Sequence, residues 1–229
     1  MTLIVGIKTN VGRPGIVMLA DAQATDSKEK DREIKYLKYR KIETGSTWAM
    51  VDSGSINSDI SLFYKLLREN PDRAKREIKH ALKLGAYPQV LKLNQEIARR
   101  SSPDDTHEFM LATRYPDLSL VHIDIFGNTS ETEASYLLVG IAAEKAKEYL
   151  EAQLTGTSER AYELTLERAL RLGYETISHS AERDIYLSGP PSAVIVTSKK
   201  VQDFTEQHWN AIASAEKKSL EGIIQEINK

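Results

Sequence analysis

The hydrophobic pattern opens the chain with two short β-strands. Leu3 to Ile7 and Ile16 to Leu19 are rich in β-branched residues, and the turn sequence N-V-G-R-P-G separates them. Two such runs joined by a glycine-containing turn are typical of an antiparallel hairpin. Trp48 to Val51 predicts a further short strand, whereas the highly charged stretch from Asp26 to Arg40 predicts a solvated loop.

From Ser58 the apolar period changes from that of a strand to that of a helix. Four apolar residues recur at helical spacing on one face: Ile60, Phe63, Tyr64 and Leu67. This pattern predicts a helix that ends near Asn70-Pro71. A second helical region extends from Ala74 to Arg99, and we expect a break between Gly85 and Pro88 because proline disrupts a helix interior.

Strand patterns return in the middle of the chain. The segments H-E-F-M-L-A-T-R-Y and L-S-L-V-H-I-D-I-F-G flank the turn dipeptide Pro116-Asp117 and predict a second hairpin. Ser135 to Val139 predicts another strand, and Ala142 to Leu154 predicts the helix that follows it. A long helix with Leu166 and Ile177 on its apolar side then precedes a late strand, S-A-V-I-V-T.

The last segment predicts a C-terminal helix over about residues 204–229, beginning near Phe204. Its apolar residues recur at helical spacing: Trp209, Ile212, Leu220, Ile223 and Ile227. Asp203 and Glu206 are expected to cap its beginning.

The order of these elements favours antiparallel sheets covered by helices. Runs of strands alternate with runs of helices, which is typical of an α+β fold and not of a parallel βαβ fold. No internal repeat or linker divides residues 1–229, so a single domain is predicted.

Composition excludes several classes of function. A formal net charge of −2 with both signs mixed gives no electrostatic reason to expect nucleic acid or an anionic membrane. The chain has no cysteine, which excludes disulfides and thiolate chemistry. The five histidines show no metal-ligand spacing, so no metal site is predicted. No apolar run approaches the ~20 residues of a membrane span, and no signal peptide is recognised, so a soluble cytoplasmic protein is expected.

The second residue carries the strongest chemical hypothesis. Thr2 follows Met1 directly, so removal of Met1 would leave a hydroxyl and a free α-amine on the same Cα atom. A threonine hydroxyl is a weak nucleophile unless a base lies within hydrogen-bond reach, and the adjacent amine would supply that base.

Five short motifs occur in order between residues 2 and 198. They are T-L-I-V-G-I, L-A-D-A-Q-A-T, Arg40-Lys41-Ile42, S-G-S-I-N-S-D, and R-D-I-Y-L-S-G ahead of A-V-I-V-T. Together they resemble the motifs of β-type subunits of the 20S proteasome and of their bacterial relative HslV, which are N-terminal nucleophile (Ntn) hydrolases.

The resemblance implies how the nucleophile would be activated. Thr2 Oγ would attack a carbonyl carbon, and the α-amine of Thr2 would accept the proton directly or through a water. Lys41 would place a positive charge beside the hydroxyl, although Lys38 is a nearby competitor for that role. Asp21 would orient the lysine and keep it charged.

The resemblance also implies residues that stabilise the reaction. The N–H of Gly54 would face the developing oxyanion, and Asp184 and Ser188 match the supporting pair that holds the N-terminal threonine. This chain has Gly140-Ile141-Ala142 where the family has a G-S-G step, so the usual assisting serine hydroxyl is missing.

Three further residues are predicted to bind substrate. Asp52 matches a position that lines the first specificity pocket, where a carboxylate would favour a basic side chain before the scissile bond. A solvated turn aspartate is an equally good interpretation of Asp52. Ala24 and Thr25 are predicted to line the same site.

The resemblance implies a complete functional hypothesis. The fold would be a four-layer α/β/β/α sandwich of two antiparallel sheets, assembled as a homo-oligomeric ring. The activity would be threonine-type cleavage of peptides or unfolded proteins through an acyl-enzyme, with no cofactor, and an ATPase or another ring is a conceivable partner. Two alternatives stay open: a non-catalytic ring subunit, and an Ntn amidase or transpeptidase of narrow specificity.

Overall fold

A computed structural model of the chain describes residues 2–12, 14–21, 42–54, 58–101, 105–132, 134–140, 142–156, 163–182 and 191–204. Within these residues it contains ten strands and five helices. The strands are β1 (Leu3–Thr9), β2 (Gly15–Ala20), β3 (Glu43–Thr44), β4 (Trp48–Ser53), β5 (Glu108–Thr113), β6 (Ser119–Ile123), β7 (Thr129–Glu131), β8 (Tyr136–Gly140), β9 (Ser192–Thr197) and β10 (Val201–Phe204). The helices are α1 (Ser58–Glu69), α2 (Pro71–Leu84), α3 (Pro88–Arg100), α4 (Ala143–Gly156) and α5 (Leu166–Ala181).

The strands form two five-stranded antiparallel sheets. The first sheet has the order β10-β9-β2-β1-β8, and the second has the order β3-β4-β5-β6-β7. Both predicted hairpins are confirmed, because β1 pairs with β2 and β5 pairs with β6, each in antiparallel register. The prediction of a mixed α+β fold with antiparallel sheets is therefore confirmed.

The helices of the first half follow the sequence pattern. Helix α1 begins at Ser58 and buries the four apolar residues that predicted it. The expected break lies between α2 and α3, where Gly85 ends α2 in a left-handed conformation with φ 68° and Pro88 begins α3. Glycine adopts that conformation without the penalty of a Cβ atom, and proline is favoured in the first helical turn.

The core consists of three clusters that lie in successive layers. Residues of β1, β2 and β9 pack against α4 and α5 on one side of the first sheet. Residues of β4, β5 and β6 pack against α1, α2 and α3 on one side of the second sheet. The third cluster joins the two sheets face to face, and its largest members include Ile4, Met18 and Met110. This layering is compatible with the expected sandwich.

Three short strands were not predicted, and one prediction needs correction. The strands β3, β7 and β10 have two to four residues each and lie at sheet edges. Asp203 and Phe204 belong to β10, which pairs with β9, so they are strand residues and not the beginning of a helix. The rest of the predicted C-terminal helix and the charged stretch at 26–40 lie outside the described residues.

Among the described residues, no helix has both the length and the apolar character required to cross a lipid bilayer.

Candidate functional site

Three strand ends of the first sheet meet around Thr2. Thr2 directly precedes β1, Asp21 directly follows β2, and Gly140 is the last residue of β8. The antiparallel register pairs Ile4 with Ala20 and Leu3 with Gly140, so all three ends lie at the same edge of the sheet. The structure therefore places Thr2 and Asp21 at the same edge of the first sheet, and the catalytic roles predicted for both residues stay predictions.

Asp21 holds the beginning of β1 through two hydrogen bonds. Its Oδ1 accepts a bond of 2.8 Å from the backbone N–H of Leu3, and its own backbone N–H donates to Leu3 O at 3.1 Å. Both Asp21 and Thr2 are fully buried. These bonds hold Leu3, the residue that follows Thr2, at the beginning of β1.

The second sheet reaches the same place through the end of β4. Ser53 Oγ donates a hydrogen bond of 3.3 Å to the carbonyl oxygen of Thr2. A Cβ atom at Gly140 would lie 1.8 Å from that carbonyl oxygen and 2.7 Å from Ser53 Oγ. Gly140 also has φ 99°, which favours glycine, so this residue permits the close approach of β8 to Thr2. The backbone around Thr2 is thus enclosed by both sheets.

The β8–α4 step has a second unusual backbone angle. Ala142 adopts φ 61°, although left-handed conformations are uncommon for residues other than glycine. Such strain persists only where the surrounding structure imposes it, and it clusters at functional sites.

Gly54 follows β4 and lies directly against a histidine ring. A Cβ atom at Gly54 would be 2.5 Å from His107 Nδ1 and 2.6 Å from His107 Cγ. Glycine is therefore required at position 54 for this ring contact. Close backbone approach is also what the predicted oxyanion role needs, and that role stays a prediction.

His107 belongs to a buried polar network next to Gly54. Its Nδ1 lies 2.8 Å from Asp52 Oδ2, and Tyr64 donates to Asp52 Oδ1 at 3.1 Å. His107 is fully buried and Asp52 is 7% exposed. The Nδ1 atom and the carboxylate oxygen are thus within hydrogen-bond distance of each other in a buried position.

A second group fixes the backbone of His107. Asn94, on α3, accepts from His107 N–H at 2.9 Å and donates to His107 O at 2.8 Å. Its amide also donates to Ile125 O at 3.0 Å. This buried asparagine satisfies both backbone groups of the residue that precedes β5.

Asp52 and Ser53 face opposite sides of the second sheet. Side chains alternate along a strand, and Met50 packs against the helices whereas Val51 packs between the sheets. Accordingly, Asp52 bonds to Tyr64 of α1, and Ser53 bonds to Thr2. The structure does not bring the Asp52 carboxylate together with Thr2. The specificity role predicted for Asp52 stays a prediction.

The remaining predicted site residues lie outside the described residues. They are Ala24, Thr25, Lys41, Asp184 and Ser188, together with the competing Lys38. Ile42, which follows Lys41, is buried between the two sheets.

The sequence reasoning missed two residues that the structure places at this edge. The sequence alone could have placed Ser53 on the face opposite Asp52, because side chains alternate along a strand. His107 had no local signal, since its partner Asp52 is 55 residues away in the chain. Among the described residues, no group of three or more histidine, aspartate or glutamate side chains is arranged to hold a metal ion.

Comparison of the chain with models of known protein families and with curated protein sequences finds no match, so the geometry of this edge and the motifs carry the functional argument.

Proposed function

We propose that this protein is a threonine-type N-terminal nucleophile hydrolase with the four-layer fold of that class. Removal of Met1 would expose the α-amine of Thr2, and the substrate would be a peptide or an unfolded protein. By the same resemblance, the active form is a cytoplasmic homo-oligomeric ring, with an ATPase or another ring as a candidate partner. No cofactor takes part in the proposed reaction.

One observation supports this proposal above the others. Asp21, Ser53 and Gly140 come from three different strands, and all of them contact or bond the backbone of residues 2 and 3. An ordinary first strand needs only ladder hydrogen bonds. Extra contacts that fix one N-terminal residue are what a preorganised nucleophile requires, because small misplacements of a reacting group are costly in rate.

The proposed reaction is an acyl transfer in two steps. Thr2 Oγ attacks the carbonyl carbon of the scissile bond while its proton passes to the α-amine of Thr2. The tetrahedral oxyanion is stabilised by the N–H of Gly54, a contribution of about 3–4 kcal/mol for one good donor. The resulting ammonium then protonates the leaving amine, and water hydrolyses the acyl-enzyme by the reverse proton path.

A covalent probe tests the proposal directly. Intact-mass measurement with an epoxyketone or β-lactone should show a single adduct on protein that lacks Met1. The variant Thr2→Ala should show none, and Thr2→Ser should retain labelling because it keeps the hydroxyl. Equal labelling of wild type and Thr2→Ala would place the reaction elsewhere and refute the proposal.

One observation favours a second candidate, a non-catalytic ring subunit. Position 140–142 reads Gly-Ile-Ala and so has no serine hydroxyl. A non-catalytic subunit would form the same oligomer, which light scattering would detect, and would not react with the probe after Met1 removal.

A further inference from the structure

We propose that His107 is a positioning residue, which orients the backbone of Gly54 for the acyl transfer; this inference rests on the proposed function. The sequence motifs assign no role to His107, and it is not expected to touch the substrate. Its proposed effect passes through the residue whose N–H would bind the oxyanion.

The first argument is the direct contact between ring and glycine. An added Cβ at Gly54 would meet three atoms of the imidazole ring within 2.8 Å. The ring is fully buried, so it cannot swing into solvent to release this contact. Gly54 is the first residue after β4 and lacks a side chain of its own to hold it. The ring therefore limits the positions that the Gly54 backbone can occupy on this side.

The second argument is that the ring itself is held from several sides. Asp52 binds Nδ1 at 2.8 Å, and Tyr64 of α1 holds the other carboxylate oxygen. Asn94 of α3 fixes both backbone groups of His107. Asp52 thus holds the imidazole directly, whereas Tyr64 acts through Asp52 and Asn94 acts through the backbone of His107. The bonds to Nδ1 and to the backbone of His107 therefore restrict how far the ring can move away from Gly54.

The third argument concerns the other ring nitrogen. His107 Nε2 is buried and has no hydrogen-bond partner among the described residues. A histidine that served only to satisfy its neighbours would be replaceable by a smaller donor to Asp52. The imidazole ring instead packs against Gly54, as expected of a residue that positions its neighbour by steric contact.

A set of variants separates this role from a purely structural one. His107→Asn can keep a side-chain N–H for Asp52 but removes the ring from Gly54. His122→Asn is the matched control, because His122 lies on β6, is partly exposed and bonds only Glu108 among the described residues. Both are compared with wild type by kcat and KM on a fluorogenic peptide, and by the thermal unfolding midpoint.

The expected result is a selective loss of turnover. His107→Asn should lower kcat by about 10–100-fold with KM unchanged, since misplacing a transition-state donor affects only the chemical step. The control should keep the wild-type kcat. Should His107→Asn fail to fold, Asp52→Asn replaces it, because it retains the side-chain shape and loosens the ring; the same fall in kcat is expected, by a smaller factor. A wild-type kcat in the folded variant overturns the proposal.

A spectroscopic measurement distinguishes failure of this inference from failure of the proposed function. In protein labelled with ¹⁵N-glycine, the Gly54 amide is assigned by its loss in Gly54→Ala. His107→Asn should move this resonance more than those of the other glycines, and His122→Asn should leave it in place. If wild type neither labels nor cleaves but the resonance moves, the proposed function fails and the positioning contact stands. An unmoved Gly54 resonance overturns the positioning role itself.

Discussion

Replacement of Asp21 separates its structural contribution from its chemical one. Its Oδ1 accepts the Leu3 N–H at 2.8 Å, in a fully buried position. Asp21→Ala leaves that amide without this acceptor, and an unsatisfied buried donor costs about 1–3 kcal/mol. Asp21→Asn can still offer a side-chain oxygen to the same N–H but lacks the charge, which costs about 1 kcal/mol. We therefore expect the alanine variant to lose more free energy of unfolding than the asparagine variant, by up to about 2 kcal/mol.

The rate of probe labelling should respond more strongly than the free energy of unfolding to the loss of charge at position 21. The proposed role of Asp21 is to orient a lysine by its charge, so Asp21→Asn should already slow probe labelling at Thr2 by about 100-fold or more. Urea unfolding gives the stability of each variant, and intact-mass kinetics gives the labelling rate. Wild-type labelling by Asp21→Asn would refute the catalytic role. Identical urea midpoints for Asp21→Ala and wild type would refute the argument from the Leu3 hydrogen bond.

Three other predictions follow from buried contacts. Gly140→Ala should destabilise the fold by about 2–4 kcal/mol in urea unfolding, since a Cβ there would be 1.8 Å from Thr2 O at φ 99°; a wild-type midpoint would contradict this. Asn94→Ala should cost about 3 kcal/mol by the same measurement, because both backbone groups of His107 lose a buried partner, and a loss below about 1 kcal/mol would contradict it. Burial raises the pKa of the Tyr87 hydroxyl above its ordinary 10.0. The contribution of this shift to the free energy of unfolding is therefore fully present below pH 10, and it falls by about 1.4 kcal/mol per pH unit as the pH rises above 10. Its hydroxyl has no hydrogen-bond partner among the described residues, so Tyr87→Phe should add about 1 kcal/mol at neutral pH and remove its part of the alkaline slope; equal slopes in a pH series of unfolding measurements would contradict this.

The periodic elements of this fold could be predicted because their signals are local. The helix α1 repeats four apolar residues on one face, and Pro71 and Pro88 mark the beginnings of α2 and α3. The strands β1, β2, β5 and β6 are long enough to show apolar runs between turns. The edge strand β3 has only two residues, and β10 has four, which is too short for a period to be recognised. Phe204 was assigned to a helix for that reason.

The candidate site likewise contains residues that could be identified from the local sequence and residues that could not. Thr2, Asp21 and Gly54 could be named because the short motifs around them resemble those of N-terminal nucleophile hydrolases, and each lies next to a strand. The contacts of Gly140 with Thr2 could not be named, since they depend on the register between β1 and β8. His107 resembled any isolated histidine until the pairing of β4 with β5 placed it beside Asp52 and Gly54.

The sequence by itself determined where the longer strands and the described helices lie, because periodicity and turn chemistry act over a few residues. It also suggested Thr2 as a nucleophile, because a hydroxyl and an α-amine would share one Cα atom after removal of Met1. The tertiary structure decided which strand ends meet at Thr2 and which face of β4 each side chain occupies. It also decided that a buried imidazole packs against Gly54. These features depend on register and on packing between layers, where residues far apart in the chain meet and local pattern carries no information.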